Sequence, residues 1–392
     1  MAYPLQGTIN KTVDSMEDLY KIISEQGFDA IGPAFRILMN EAMKAERSRY
    51  LGTNPYERST ERHDYANGFK SKTVKTRVGA LELNVPQVRS SDFYPQSLER
   101  GLRSEQALSM AVAQMYLSGV STRKVKAITQ QLCGLDISSS EVSRITKKLD
   151  EEFQKWRDRR IGKCKYLIVD AIYEKVRRDG CVVGSAVLIA HGIDEEGRRD
   201  VLGLSVSLSE HEVHWRAFFE SLIARGLHGL EMIVSDAHTG LKAAKQVVFP
   251  TVPWQRCQFH LQQNASSYVS KKPRKLEVAG DIRAIFNAPN ETEARRLLDL
   301  TVEKYKDCEK KLAAWMETSL PEGFTVFSRP KLHQVKLRTS NLAERVNKEI
   351  RRRTKVVGIF PHEESCLRLI TAVLCEISED WMQGKRYLAK ED

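Results

Sequence analysis

Two short apolar runs in this sequence end in aspartate. KYLIVDAIY (165–173) places Leu167, Ile168 and Val169 ahead of Asp170, and EMIVSD (231–236) places Met232, Ile233 and Val234 ahead of Asp236. Runs this short and this apolar fit strands buried on both faces. A carboxylate at the end of such a strand needs a cation, a metal or water to offset its desolvation. A third acid, Glu344, stands far downstream in RTSNLAERVNKEIRRRTKVVGIF (338–360). Helical spacing there puts Asn341, Glu344, Asn347, Lys348 and Arg351 on one face. Two aspartates and a glutamate are hard oxygen donors suited to Mg²⁺ or Mn²⁺. Two such ions about 3.5–4 Å apart support in-line phosphodiester displacement at both the attacking and the leaving oxygen. Eight basic residues against two acidic ones between Lys336 and Lys355 would seat phosphates beside them, Arg345, Lys348, Arg351, Arg352 and Arg353 among them. Glu344 also has two plainer readings, a capping box with Asn341 and an ion pair with Lys348 one turn on. Both fold it onto its own helix, whereas metal binding points it at Asp170.

The elements that must position these acids follow from pattern. After the first run, 181–191 and 198–208 are apolar stretches joined by GIDEEG, a hairpin turn, and 209–226 reads as an amphipathic helix with Val213, Phe218, Leu222 and Ile223 inward. The strand at 231–236, a helix at 241–248 and a strand at 251–257 complete the order β-β-β-α-β-α-β. This is the order of a ribonuclease-H-like α/β core, a mixed sheet with its first strand central, which sets Asp170 beside Asp236. Residues 261–320 read as helical, with inward pairs such as Leu276/Val278 and Leu297/Leu298/Leu300 and breaks at Pro273, Pro289 and Pro321,.

Upstream of that core, 34–50 is helical in pattern, and 54–77 interleaves Tyr56, Tyr65 and Phe69 with Arg58, Arg62, Lys70, Lys72, Lys75 and Arg77. That mixture suits a surface that follows phosphates and stacks on bases, and equally a solvated basic loop. Alternation through Val74, Thr76 and Val78, then Gly79, then Leu81, Leu83 and Val85 predicts a β-hairpin. Residues 104–149 read as three helices, with inward stripes Leu108/Val112/Met115, Val125/Ile128/Leu132 and Val142/Ile145/Leu149. The last opens on the capping box Ser138-x-x-Glu141,. This is a helix-turn-helix pattern, in which Arg123, Lys124, Ser140, Ser143, Arg144 and Lys147 would face DNA. The expected organisation is an N-terminal helical and hairpin region (1–100), a helix-turn-helix domain (101–160), the first part of the catalytic core (161–261), an all-α insertion (262–335) and C-terminal core helices (336–392).

Composition fits this picture. The 392 residues carry 62 Lys and Arg against 51 Asp and Glu, a net charge of +11, which favours a polyanionic partner, nucleic acid first. No apolar run is long enough for a transmembrane helix, and MAYPLQGTIN lacks the features of a signal peptide. Seven scattered cysteines without a C-x-x-C pair suit the reducing cytoplasm rather than a disulfide framework.

The segments 54–79 (NPYERSTERHDYANGFKSKTVKTRVG), 116–129 (YLSGVSTRKVKAIT), 166–177 (YLIVDAIYEKVR), 233–244 (IVSDAHTGLKAA), 254–264 (WQRCQFHLQQN) and 338–361 resemble the mutator-type transposases of bacterial insertion sequences. The resemblance spans most of the chain. It implies a Mg²⁺-dependent enzyme with a DDE site that nicks terminal inverted repeats and joins the 3′ end to new DNA, with Asp170, Asp236 and Glu344 as the triad. Two ends must be held together, so a homodimer on double-stranded DNA is expected. Cys257-x-x-His260 matches the family's C-x-x-H signature. No second pair completes a zinc site, which leaves a structural role or a place beside the acids. His238 fits phosphate contact, proton transfer or a plain hydrogen bond. Trp254 and Trp315 fit core packing better than stacking on a base.

Overall fold

A computed structural model describes residues 16–54, 57, 62–89, 93–98 and 104–389. The chain divides into two compact units, Met1–Lys148 and Leu149–Asp392, ahead of the 160/161 boundary expected from pattern. None of its described helices is long and apolar enough to cross a membrane.

The first unit opens with helices α1 (Met16–Gln26) and α2 (Ile31–Leu51), then the antiparallel hairpin β1 (Ala66–Thr76) and β2 (Gly79–Val88). Met43 of α2 packs on Val74, Leu81, Leu83 and Val85, the support that a lone hairpin needs. β1 begins well before Val74, so much of the basic-aromatic stretch is strand rather than loop. Helices α3 (Gln106–Leu117), α4 (Thr122–Cys133) and α5 (Ser139–Lys147) follow. Ser121 and Ser138 cap α4 and α5 through the backbone N–H groups of Lys124 and Glu141, and Gly134 ends α4 in the left-handed conformation, where glycine costs least. Leu132, expected on the inner stripe, is instead 78% exposed. Val125 and Thr129 carry the buried side of α4.

The second unit runs α6 (Asp150–Arg157), β3 (Tyr166–Arg178), β4 (Cys181–Ile193), β5 (Arg199–Ser207), α7 (Glu212–Ala224), β6 (Met232–Ser235), α8 (Thr239–Val248) and β7 (Trp254–Arg256). Helices α9 (Gln258–Ala265), α10 (Lys272–Phe286), α11 (Glu291–Tyr305), α12 (Lys310–Ser319), α13 (Lys331–Leu337), α14 (Asn341–Thr354) and α15 (Glu363–Gln383) follow. The five-stranded sheet has the order β5-β4-β3-β6-β7, antiparallel on one side of β3 and parallel on the other. It is a mixed α/β unit whose first strand is central.

Both faces of β3 are buried, each under different helices. Leu167 and Val169 join Trp215, Phe218, Phe219 and Leu222 of α7 and Leu241 of α8, while Tyr166 and Ile168 join Leu337 of α13 and Leu342 and Ala343 of α14. Each such side chain contributes about 1.5–3 kcal/mol, so the strand is firmly held. Period-two alternation puts Asp170 on the face that α14 covers. On α7 the i, i+3, i+4, i+7 stripe is Trp215, Phe218, Phe219 and Leu222. Val213 (64%) and Ile223 (42%), expected inward, are exposed because they fall outside that stripe. Leu276 and Leu300 are exposed for the same reason, since α10 and α11 turn Val278, Ile282, Ala294 and Leu298 into their shared core. Pro273 stands at the expected break, in the first turn of α10 after α9 has ended at Ala265.

Candidate active site

Strand β3 does not end at Asp170 but continues to Arg178 as a hairpin with β4. What ends there is its parallel neighbour. The register pairs Tyr166 with Met232, Leu167 with Ile233 and Ile168 with Val234, and the same offset carried two residues on sets Asp170 opposite Asp236. In the next parallel pair, Ser235 is opposite Arg256, and the N–H of Cys257 donates to the carbonyl of Ser235 at 2.9 Å. Asp236 and Cys257 therefore leave the carboxyl ends of adjacent parallel strands, the usual place for a site in an open α/β sheet.

Helix α14 closes the site from the Asp170 side. Nδ2 of Asn347 donates to Oδ2 of Asp170 at 2.7 Å, and Oδ1 accepts the N–H of Ala171 at 2.9 Å. One turn earlier on α14, Oε1 of Glu344 lies 3.9 Å from Nε2 of His260, whose Nδ1 lies 3.9 Å from Oδ1 of Asp236. His260 thus sits between the second and third acids. Burial pushes the Asp170 carboxyl up to about 6, reinforced by Asp236 and opposed by hydrogen bonds and by His260. Hydrogen bonding with Cys257 raises the His260 imidazole to about 9, against burial and with help from Asp236 and Asp170. Burial pushes the Cys257 thiol up, but hydrogen bonds with His260 and Ser340 outweigh it and hold the thiol below its ordinary value.

The plainer readings of Glu344 fail on geometry. The residue preceding α14 is Ser340, with no side-chain cap, and among the described residues no ion pair joins Glu344 to Lys348. Oε1 of Glu344 is buried without a hydrogen-bond partner. An orphaned carboxylate oxygen is costly, and here it faces the His260 imidazole at 3.9 Å. Carboxylate oxygens of this kind suit a hard divalent cation. Cys257, His260 and Glu344 also bring ligand atoms within 4.8 Å of one another, the third member that the C-x-x-H pair lacked in sequence.

A family model described as "Transposase, Mutator family" matches residues 8–384. The chain belongs to this family. The transposase for insertion sequence element IS406 of Burkholderia multivorans is 54% identical over 375 residues, 95% of this chain and 97% of its own length. That for element ISRM5 of Rhizobium meliloti is 42% identical over 365 residues, 93% and 92% of the two chains. That for element IS256 in transposon Tn4001 of Staphylococcus aureus is 37% identical over 353 residues, 89% and 90%.

The other residues singled out in this mutator-family chain lie in varied settings. His238 is exposed, with Nδ1 3.9 Å from Glu210, and Asn341 is exposed at the start of α14. On α14, Arg345, Lys348 and Arg351 are exposed, whereas Arg352 and Arg353 pair with Glu349, and buried Arg353 also with Glu376. In the first unit, Lys70, Arg123, Lys124, Ser140, Arg144 and Lys147 are exposed. Lys75 pairs with Glu141 at 2.7 Å, Lys72 donates to the hydroxyl of Tyr94, and Arg62 lies over the ring of Tyr65. Arg58 lies outside the described residues.

Two contributors are missed by sequence reasoning. Ser340 donates its N–H to Sγ of Cys257 at 3.3 Å, and Arg338 donates to Gln258 at 2.9 Å, to Asn287 at 3.0 Å and to the carbonyl of Phe286. Both fix the entry of α14 against β7, α9 and α10. Neither residue type carries a sequence signal for such long-range bonds.

Proposed function

We propose that this transposase binds the terminal inverted repeats of an insertion sequence in the cytoplasm, nicks them and joins the freed 3′ end to target DNA. In this reading the second unit is a ribonuclease-H-like core with a helical insertion over 262–335, and α4 and α5 form a helix-turn-helix over DNA. Arg144 and Lys147 sit on the exposed side of α5. Asp170, Asp236 and Glu344 would hold two Mg²⁺ or Mn²⁺ ions, which when bound activate the attacking oxygen and stabilise the leaving one. The observation that carries the reading is convergence. Asn347 of α14 holds Asp170 of β3. One turn away, Glu344 stands 3.9 Å from His260, itself 3.9 Å from Asp236, with Oε1 of Glu344 left without a hydrogen-bond partner.

The chain's own groups orient and neutralise. Asn347 holds one oxygen of Asp170, His260 balances part of the acid cluster, and exposed Arg345, Lys348 and Arg351 offer phosphate contacts. Nicking forms a P–O bond from water and breaks the bond to the 3′ oxygen. Joining uses that 3′ hydroxyl as the attacking group on target phosphorus and expels a target 3′ oxygen. Holding two ends together calls for a homodimer on DNA. The test is a duplex carrying the element's end, incubated with Mg²⁺ and wild type, Asp170→Ala or Glu344→Gln. Both variants are expected to lose nicking and joining; persistence of both reactions would overturn the assignment. Nicking by wild type without any joined product would point to a nuclease of the same core.

A further inference from the structure

We infer that Phe259 forms a nucleobase subsite beside the acids, stacking on an unpaired base next to the scissile phosphate. The inference rests on the assignment of Asp170, Asp236 and Glu344 above. On α9 the buried side is Gln258, Leu261 and Ala265, and Phe259 falls off it, leaving the ring 48% exposed. Its neighbour is His260, met edge-on at 5.6 Å between ring centroids and 64° between planes. His260 in turn stands 3.9 Å from both Asp236 and Glu344. A phenyl ring left half-exposed beside His260 offers a π surface to a base that has left the duplex stack while its phosphate lies at the acids,.

The two nearby candidates among the tryptophans are otherwise engaged. Trp254 donates its indole N–H to Oγ of Ser235 at 2.9 Å and lies under the ammonium of Lys242. Trp315 stacks on Tyr268 with centroids 5.2 Å apart. Stacking tolerates any base because each has a π face, so the subsite would act on position along the strand rather than on base identity.

The experiment is a two-by-two cycle of single-turnover nicking by the full chain with Mg²⁺. It uses duplex ends that either carry or lack, as an abasic site, the base flanking the scissile phosphate. With the base present, Phe259→Ala should slow nicking about tenfold, the scale of one base–aromatic stack. Phe259→Tyr should nick near the wild-type rate and Phe259→Leu should resemble the alanine variant. On abasic DNA, wild type should fall to the level of Phe259→Ala, and the substitution should cost nothing further. Equal loss on both substrates, or no loss on either, overturns the subsite. Glu344→Gln is run alongside. If it nicks at the wild-type rate, the acid-site assignment falls. If it is dead while the Phe259 effects are merely additive, the stacking proposal alone is wrong.

Discussion

Two glutamates five positions apart on α14 have opposite surroundings. Glu349 accepts hydrogen bonds from Arg352 at 2.8 and 2.7 Å and from Arg353 at 2.9 Å, and these hold its carboxyl down at about 2 against the effect of burial. Glu344, nearer the helix start, has a buried oxygen with no hydrogen-bond partner and faces an acid cluster through His260. The local excess of arginine is therefore directed to the carboxylate that braces the helix and withheld from the one at the candidate site. A buried carboxylate oxygen without a hydrogen-bond partner gives up stability there,, whereas the bonded carboxylate of Glu349 contributes to it.

The sharpest way to break the contrast is to neutralise each acid in turn. Glu344→Gln should cut nicking about a thousandfold or more, the equivalent of several kcal/mol, while its urea midpoint stays close to that of wild type because its buried oxygen makes no hydrogen bond to lose. Glu349→Gln should do the reverse. Nicking should stay within about threefold, and unfolding should become easier by about 1–2 kcal/mol, because Arg353 is buried and loses a charged partner,. If both variants lose activity, or both lose stability, the division of labour along α14 is wrong.

Much of this arrangement is legible in the sequence itself. The two apolar strands leading to Asp170 and Asp236 stand out because a strand buried on both faces has few ways to be written. The strand order then follows from hairpin and crossover rules. Register is beyond reach, since nothing local to 165–173 says that β3 runs past Asp170 to Arg178 while β6 stops. The fate of the arginines is equally hidden. Arg351, Arg352 and Arg353 are consecutive and chemically identical, and their different fates come from helical phase against α15 and Glu349. Leu132, Leu276 and Leu300 mislead for a related reason, as apolar residues at permissible spacing are not always on the packed side.

Asn347 offers a middle-sized test, because it ties the middle of α14 to Asp170 through one hydrogen bond. Asn347→Ala should lower nicking about 10–100-fold, the usual cost of losing a group that orients a ligand, and Asn347→Asp should do no better because it adds a carboxylate. Acid titration probes Glu349. Its folded-state value lies below the unfolded one, so its stabilisation is complete above about pH 4.5 and is lost as pH falls toward about 2,. The stability gap between wild type and Glu349→Gln should therefore close across that window, as followed by urea unfolding at each pH. A gap that stays constant would mean that the charge of Glu349 is not what the arginines hold.

The smallest expected effect separates neighbours of the same type. Arg351 is exposed, while Arg352, although its side chain is 60% exposed, already pairs with Glu349 at 2.7 Å. An exposed pair of this kind is worth about 0.5 kcal/mol, so Arg352→Ala should barely move the urea midpoint. The informative readout is DNA affinity against salt. If Arg351 contacts a phosphate, Arg351→Ala should lower the slope of log affinity against log salt by about one. Arg352→Ala should leave the slope unchanged, because its guanidinium is committed within the helix. An equal drop in both variants would mean that Arg352 leaves Glu349 when DNA arrives. Glu349 would then be a carboxylate that competes with phosphate for its arginine, and the contrast along α14 would hold only for the free protein.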